Sequence, residues 1–119
     1  MNAYGVFIII IVLLLLVDLP WLWLIGGAYS SAVKKIQGGR DAVMSPLPAL
    51  VVYPALAYLL LKAKSVEEAF WIGAATYAVY DFTVLAVFKD YPLYLAVGDT
   101  LWGGALFSIV YTIKSWIPK

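Results

Sequence analysis

Apolar residues along this chain fall into long, nearly uninterrupted blocks, and polar residues collect between the blocks rather than alternating with them. The blocks are too long for strands, and without period-two alternation a small barrel is not expected. A transmembrane helix needs about 20 mostly apolar residues. The first block, Tyr4 to Ile25, meets that length with one charge, Asp18, and one proline, Pro20. Ser45 to Leu61 is shorter and carries Pro46, Pro48 and Pro54. Glu67 to Phe88 follows Ser65-x-x-Glu68, a helix-start pattern of capping-box type. Pro92 to Ile113 opens on a proline that a first helical turn tolerates. The pattern predicts an all-α fold, an integral membrane four-helix antiparallel bundle, as one domain over 1–119. Its spans are expected at about 4–26, 45–61, 67–88 and 92–113.

One sizeable loop separates the first two spans, Ala28 to Met44. Its first part, Tyr29 to Gln37, is able to continue the first helix into the headgroup region, where Gly38-Gly39 is a natural stop. The connections Lys62 to Val66 and Lys89 to Tyr91 are short enough to force antiparallel neighbours. Ala28-Tyr29-Ser30 faintly suggests a signal-peptide cleavage site. No Lys or Arg precedes the first block, however, and the block is too long for an h-region, so it is expected to stay as a span. Lys34, Lys35, Arg40 and Lys89 lie on the face of the first and third loops, and Lys62, Lys64, Lys114 and Lys119 on the other. The positive-inside count is therefore a tie; the cluster after the first helix favours both termini outside. Trp23, Tyr29, Phe88, Tyr91 and Tyr94 fall near one interface, and Phe70, Trp71, Tyr111 and Trp116 near the other, as a double aromatic belt.

Composition narrows the chemistry. The 119 residues are 65% hydrophobic and 13% charged, with a mean hydropathy of +0.95. Soluble domains are about 45–50% apolar and about 25% charged, so the expected partner of this surface is the lipid bilayer. A net charge of +1 offers no basic field for nucleic acid. The chain has no cysteine and no histidine. That removes disulfides, thiol nucleophiles, Ser-His and Cys-His catalysis, histidine-ligated haem and the common zinc sites. Gly38-Gly39 is too short for a phosphate loop. No metal, no cofactor and no catalytic residue is assigned.

Three acids lie inside the spans: Asp18, Asp81 and Asp99. An ionised Asp at a helix centre costs about 2.5–3.5 kcal/mol on the insertion scale, so three facing lipid would cost about 8–10 kcal/mol. They are expected to face the bundle interior. Asp81 and Asp99 stand symmetrically about Asp90 in the third connection, each about 13 Å below the turn. Asp18 is a similar distance before Ala28, which predicts one shared level for all three. Asp18-x-x-Trp21 and Asp99-x-x-Trp102 repeat one pattern, with carboxylate and indole on one helix face. Tyr77 and Tyr80 add hydroxyl donors near Asp81, and Thr83 is adjacent. Gly73, Gly98, Gly103 and Gly104 leave room for close helix approach, and Pro20 frees the Leu16 carbonyl and should bend or loosen the first helix. The candidate pocket is Asp18, Trp21, Tyr77, Tyr80, Asp81, Thr83, Asp99 and Trp102.

Asp18-x-x-Trp21 followed by Tyr29, then Tyr80-Asp81-Phe82-Thr83, then Asp99-Thr100-Leu101-Trp102-Gly103 occur in order. In these motifs the chain resembles an uncharacterised family of small predicted four-helix membrane proteins, a domain of unknown function. The resemblance covers nearly the whole chain and implies four spans and no established activity. That family commonly has Asn directly after the Thr of the third-span motif; here the position is Val84, which implies a drier or altered site there.

Several roles fit these residues. The acids are either hydrogen-bonded glue between helices or a pocket for a proton, a cation, or a small apolar, hydroxylated or cationic ligand. The expected function is proton- or cation-linked transport or channel activity as a homo-oligomer, because four helices are thin walls for a pore. The alternative is an intramembrane enzyme on a lipid or isoprenoid substrate. In it Asp81 or Asp99 is the acid or base, and Trp102, Tyr77 and Tyr80 shield a cationic intermediate. A third is a non-catalytic subunit of a membrane complex.

Overall fold

The computed structural model describes residues 2–40 and 47–117. Four helices account for most of them: α1 (Ala3–Ile36), α2 (Ala49–Leu61), α3 (Val66–Val87) and α4 (Leu93–Ser115). No strand occurs among the described residues. Three of the four, α1, α3 and α4, are long and apolar enough to cross a membrane.

Local chemistry sets the helix ends. The Asn2 side chain caps α1 by accepting from the Gly5 N–H at 2.8 Å. At the other end Gly38 and Gly39 take φ of +70° and +95°. Their N–H groups bond the carbonyls of Lys35 and Lys34, which closes α1 with a Schellman motif where the glycine pair predicts a stop. Ser65 caps α3 by accepting from the Glu68 N–H at 3.1 Å. Glu68 reaches back to the N–H of Lys64 instead of Ser65, a capping box shifted by one residue. Pro92, in extended conformation, is the residue before α4 rather than its first helical position.

α1 continues as helix through Pro20, and the proline removes one N–H from its ladder. Its 34 residues span about 51 Å at 1.5 Å per residue, which matches the longest dimension of the molecule, 51 Å. α2 has 13 residues, about 20 Å, and begins at Ala49 after Pro48. Ser45 and Pro46, at the expected start of the second span, and Met44, at the end of the first loop, lie outside the described residues.

Neighbours in sequence are neighbours in space: α1 packs on α2, α2 on α3, α3 on α4, and α4 back on α1. The α3–α4 pair is the most intimate. A methyl group on Gly73 would collide with the Gly103 carbonyl and the Phe107 side chain, and one on Gly103 would sit 2.5 Å from the Tyr77 ring. Gly73 with Phe107, Tyr77 with Gly103, and Asp81 with Asp99 thus succeed one another along a single antiparallel seam, one helical turn apart. Two apolar clusters fill the bundle. One joins Ile10 and Leu14 to Leu56, Leu60, Leu106, Phe107 and Val110. The other joins Ala32 to Tyr91, Leu95 and Ala96. Along α1, α3 and α4 the three acids fall between these clusters, so the bundle has a polar layer between two dry ones.

Candidate functional site

The polar layer is built by an exchange between α1 and α4. These helices run antiparallel, so Asp18 on α1 meets Trp102 on α4, and Trp21 meets Asp99. The Trp102 indole N–H donates to Asp18 Oδ1 at 2.7 Å, and the Trp21 N–H donates to Asp99 Oδ1 at 3.1 Å. Between the two bonds the indoles stack, with centroids 5.3 Å apart and planes 11° from parallel. Each Asp-x-x-Trp motif therefore donates to the other's acid. Asp18 and Asp99 lie within electrostatic reach of each other.

The three acids differ in how completely they are satisfied. Asp18 is buried, and its second oxygen accepts from the Tyr53 hydroxyl at 2.6 Å. Both its oxygens therefore have donors. Asp99 is half-buried. Asp81 is 0% exposed; its Oδ1 accepts from the Tyr91 hydroxyl at 2.7 Å, while its Oδ2 has no partner. The Asp99 carboxyl lies within interacting reach of Asp81. Tyr91 belongs to the α3–α4 turn and is itself buried. Burial first, and then its bond to Asp81, push its phenol well above the ordinary tyrosine value, so it remains a donor.

The remaining expected pocket residues divide. Tyr77 lies within electrostatic reach of Asp18, Asp81, Asp99 and Tyr53, with its ring against Gly103. Tyr80 is 51% exposed, at the rim of the layer, and its hydroxyl pairs with that of Tyr29 at 2.9 Å, bridging α3 to α1. Thr83 is exposed: two residues past Asp81 is about 200° around the helix, which turns it away from the acids. Sequence reasoning missed Tyr53, and it assigned Tyr29 and Tyr91 to the interfacial belt. A tyrosine inside the shortest, proline-rich span was the available signal for Tyr53. For Tyr91 there was none, because its burial depends on how the turn folds back over Asp81. Among the described residues no group of three or more His, Cys, Asp or Glu has the arrangement of a metal site.

The family model described as "Predicted membrane protein (DUF2177)" matches residues 3–116, and the chain belongs to that family. No curated protein and no solved structure matches it.

Proposed function

We propose that this membrane protein is a small proton- or cation-linked transporter or channel acting as a homo-oligomer, with the Asp81–Asp99 pair as its site. The observation that carries this reading is Asp81: a fully buried carboxyl with one oxygen unpartnered, facing a second acid. A buried polar atom without a partner costs about 1–3 kcal/mol, more if charged, and functional sites are where such costs persist. Among the described residues, Lys and Arg fall in connections or at helix ends, so none of them lies beside the pair. Asp18, with both oxygens satisfied, serves the clasp between α1 and α4. The α3–α4 seam is closed at Gly73, Gly103 and Gly104, which favours a route to the pair lined by more than one copy. Four crossings, with α2 as the short one, and both termini outside fit the basic cluster Lys34, Lys35 and Arg40 at the end of α1.

The enzyme reading draws less support, because it asks Trp102 to shield a cationic intermediate and one face of that indole is covered by Trp21. The test is proton and cation flux in liposomes for the parent and for Asp18→Asn, Asp81→Asn and Asp99→Asn, with thermal stability in detergent measured alongside. Flux that disappears in Asp81→Asn and Asp99→Asn at little-changed stability is the expected result. A parent without flux at any pH refutes the proposal.

A further inference from the structure

Asp81 and Asp99 meet acceptor to acceptor. The Oδ1 of Asp81 is held by Tyr91 and the Oδ1 of Asp99 by Trp21, both fixed donors from the protein. That leaves Asp81 Oδ2 buried and unpartnered, and the Asp99 carboxyl lies within interacting reach of Asp81. Ionised carboxylates only accept hydrogen bonds, so as two anions neither satisfies the other. One added proton converts the pair into a donor and an acceptor. The other titratable groups facing the pair are Asp18 and Tyr29 on α1, Tyr77 and Tyr80 on α3, and Tyr91 in the turn. Tyr53 of α2 reaches the layer through Asp18. None of these groups is a cation.

We propose that the Asp81–Asp99 pair is a proton-binding site, in which a single proton bridges Asp81 Oδ2 and the Asp99 carboxyl. This deepens the transport reading and rests on it for its purpose: the transported or coupling ion is the proton and not a metal cation. On binding, a proton from water forms one O–H bond to one of the facing oxygens, and the other oxygen accepts it. The charge of the pair passes from −2 to −1; release reverses the step, and no electrons move. A metal ion fits poorly. Calcium takes 6–8 oxygen ligands and magnesium six in near-octahedral array. Here one oxygen of each acid is already committed to a protein donor, and the nearby tyrosines offer O–H groups rather than carbonyls.

The experiment is infrared spectroscopy of the full chain in lipid vesicles, in H2O and in D2O, with aspartate carboxyl carbons labelled. A protonated-carboxyl C=O band at neutral pH that shifts with aspartate labelling and with deuterium is expected. It persists in Asp18→Asn and is lost in both Asp81→Asn and Asp99→Asn, because the asparagine amide then donates to the remaining carboxylate in the proton's place. Circular dichroism confirms that each variant is folded, and Tyr91→Phe, which frees Asp81 Oδ1, shifts the band without abolishing it. Absence of the band in the parent overturns the proposal, as does its survival in both single variants. Its saturable loss on adding sodium at constant pH also overturns it, since the ligand is then the cation. The band with no proton flux leaves the shared proton standing and removes the transport reading. Proton flux without the band does the reverse.

Discussion

Trp102→Phe isolates one arm of the exchange between α1 and α4. The substitution keeps an aromatic ring beside Trp21 and deletes the N–H that donates to Asp18 Oδ1 at 2.7 Å. Hydrogen bonds to charged groups contribute about 1.5–3 kcal/mol in folded proteins. Interhelical bonds in bilayers average about 0.6 and reach about 1.7 kcal/mol, because the separated helices also find partners. The Asp18 bond is short and its acceptor is buried, which puts it at the upper end, yet Tyr53 still holds the other oxygen. The expected loss is about 1.5 kcal/mol. Trp21→Phe removes a longer bond, 3.1 Å, to a half-buried acid, and should cost roughly half as much. Because Phe keeps a ring at both positions, the double variant should depart from additivity by less than the ~0.5–1.5 kcal/mol that an aromatic pair contributes. Unfolding in mixed micelles titrated with denaturing detergent measures all three. Far-UV circular dichroism is the suitable probe, since tryptophan emission changes with the substitutions themselves. Equal costs for the two single variants, or a larger cost for Trp21→Phe, refutes the ranking by bond length and burial.

Tyr53→Phe alone should destabilise modestly, but combined with Trp102→Phe it leaves Asp18 without either donor. The pair should therefore lose more than the sum of its parts in the same unfolding assay. Gly103→Ala places a methyl 2.5 Å from the Tyr77 ring and 2.7 Å from the Gly73 carbonyl. It should lower stability by about 1–3 kcal/mol, the usual range for overpacking, whereas Gly98→Ala, 3.7 Å from Trp21, should be tolerated. Thr83→Ala should leave thermal stability unchanged, because that side chain is exposed; a marked loss would return Thr83 to the polar layer. Gly38→Ala strains a residue at φ +70° and should cost about 1 kcal/mol, seen as fraying of the last turn of α1 by hydrogen exchange.

Sequence alone determined the helices and the direction in which the acids must point. Apolar blocks of bilayer length, the Ser65 cap and the Gly38-Gly39 stop act within one turn of chain or through bulk transfer energy, so they are legible without a fold. Burial of Asp18 and Asp81 followed from the same cost: a carboxyl that is costly in lipid turns inward. The shared level of Asp81 and Asp99 was also readable, because a short turn fixes the register of a hairpin. Tertiary structure decided which donor meets which acid. Asp18 and Trp21 are three residues apart, and the local reading pairs them on one face; in the bundle each bonds across to α4 instead. That exchange depends on the relative register of helices far apart in sequence, which no local spacing encodes. The same holds for Tyr53 and Tyr91, whose hydroxyls reach acids on other elements, and for Asp81 Oδ2, whose lack of a partner exists only once α3 and α4 close face to face.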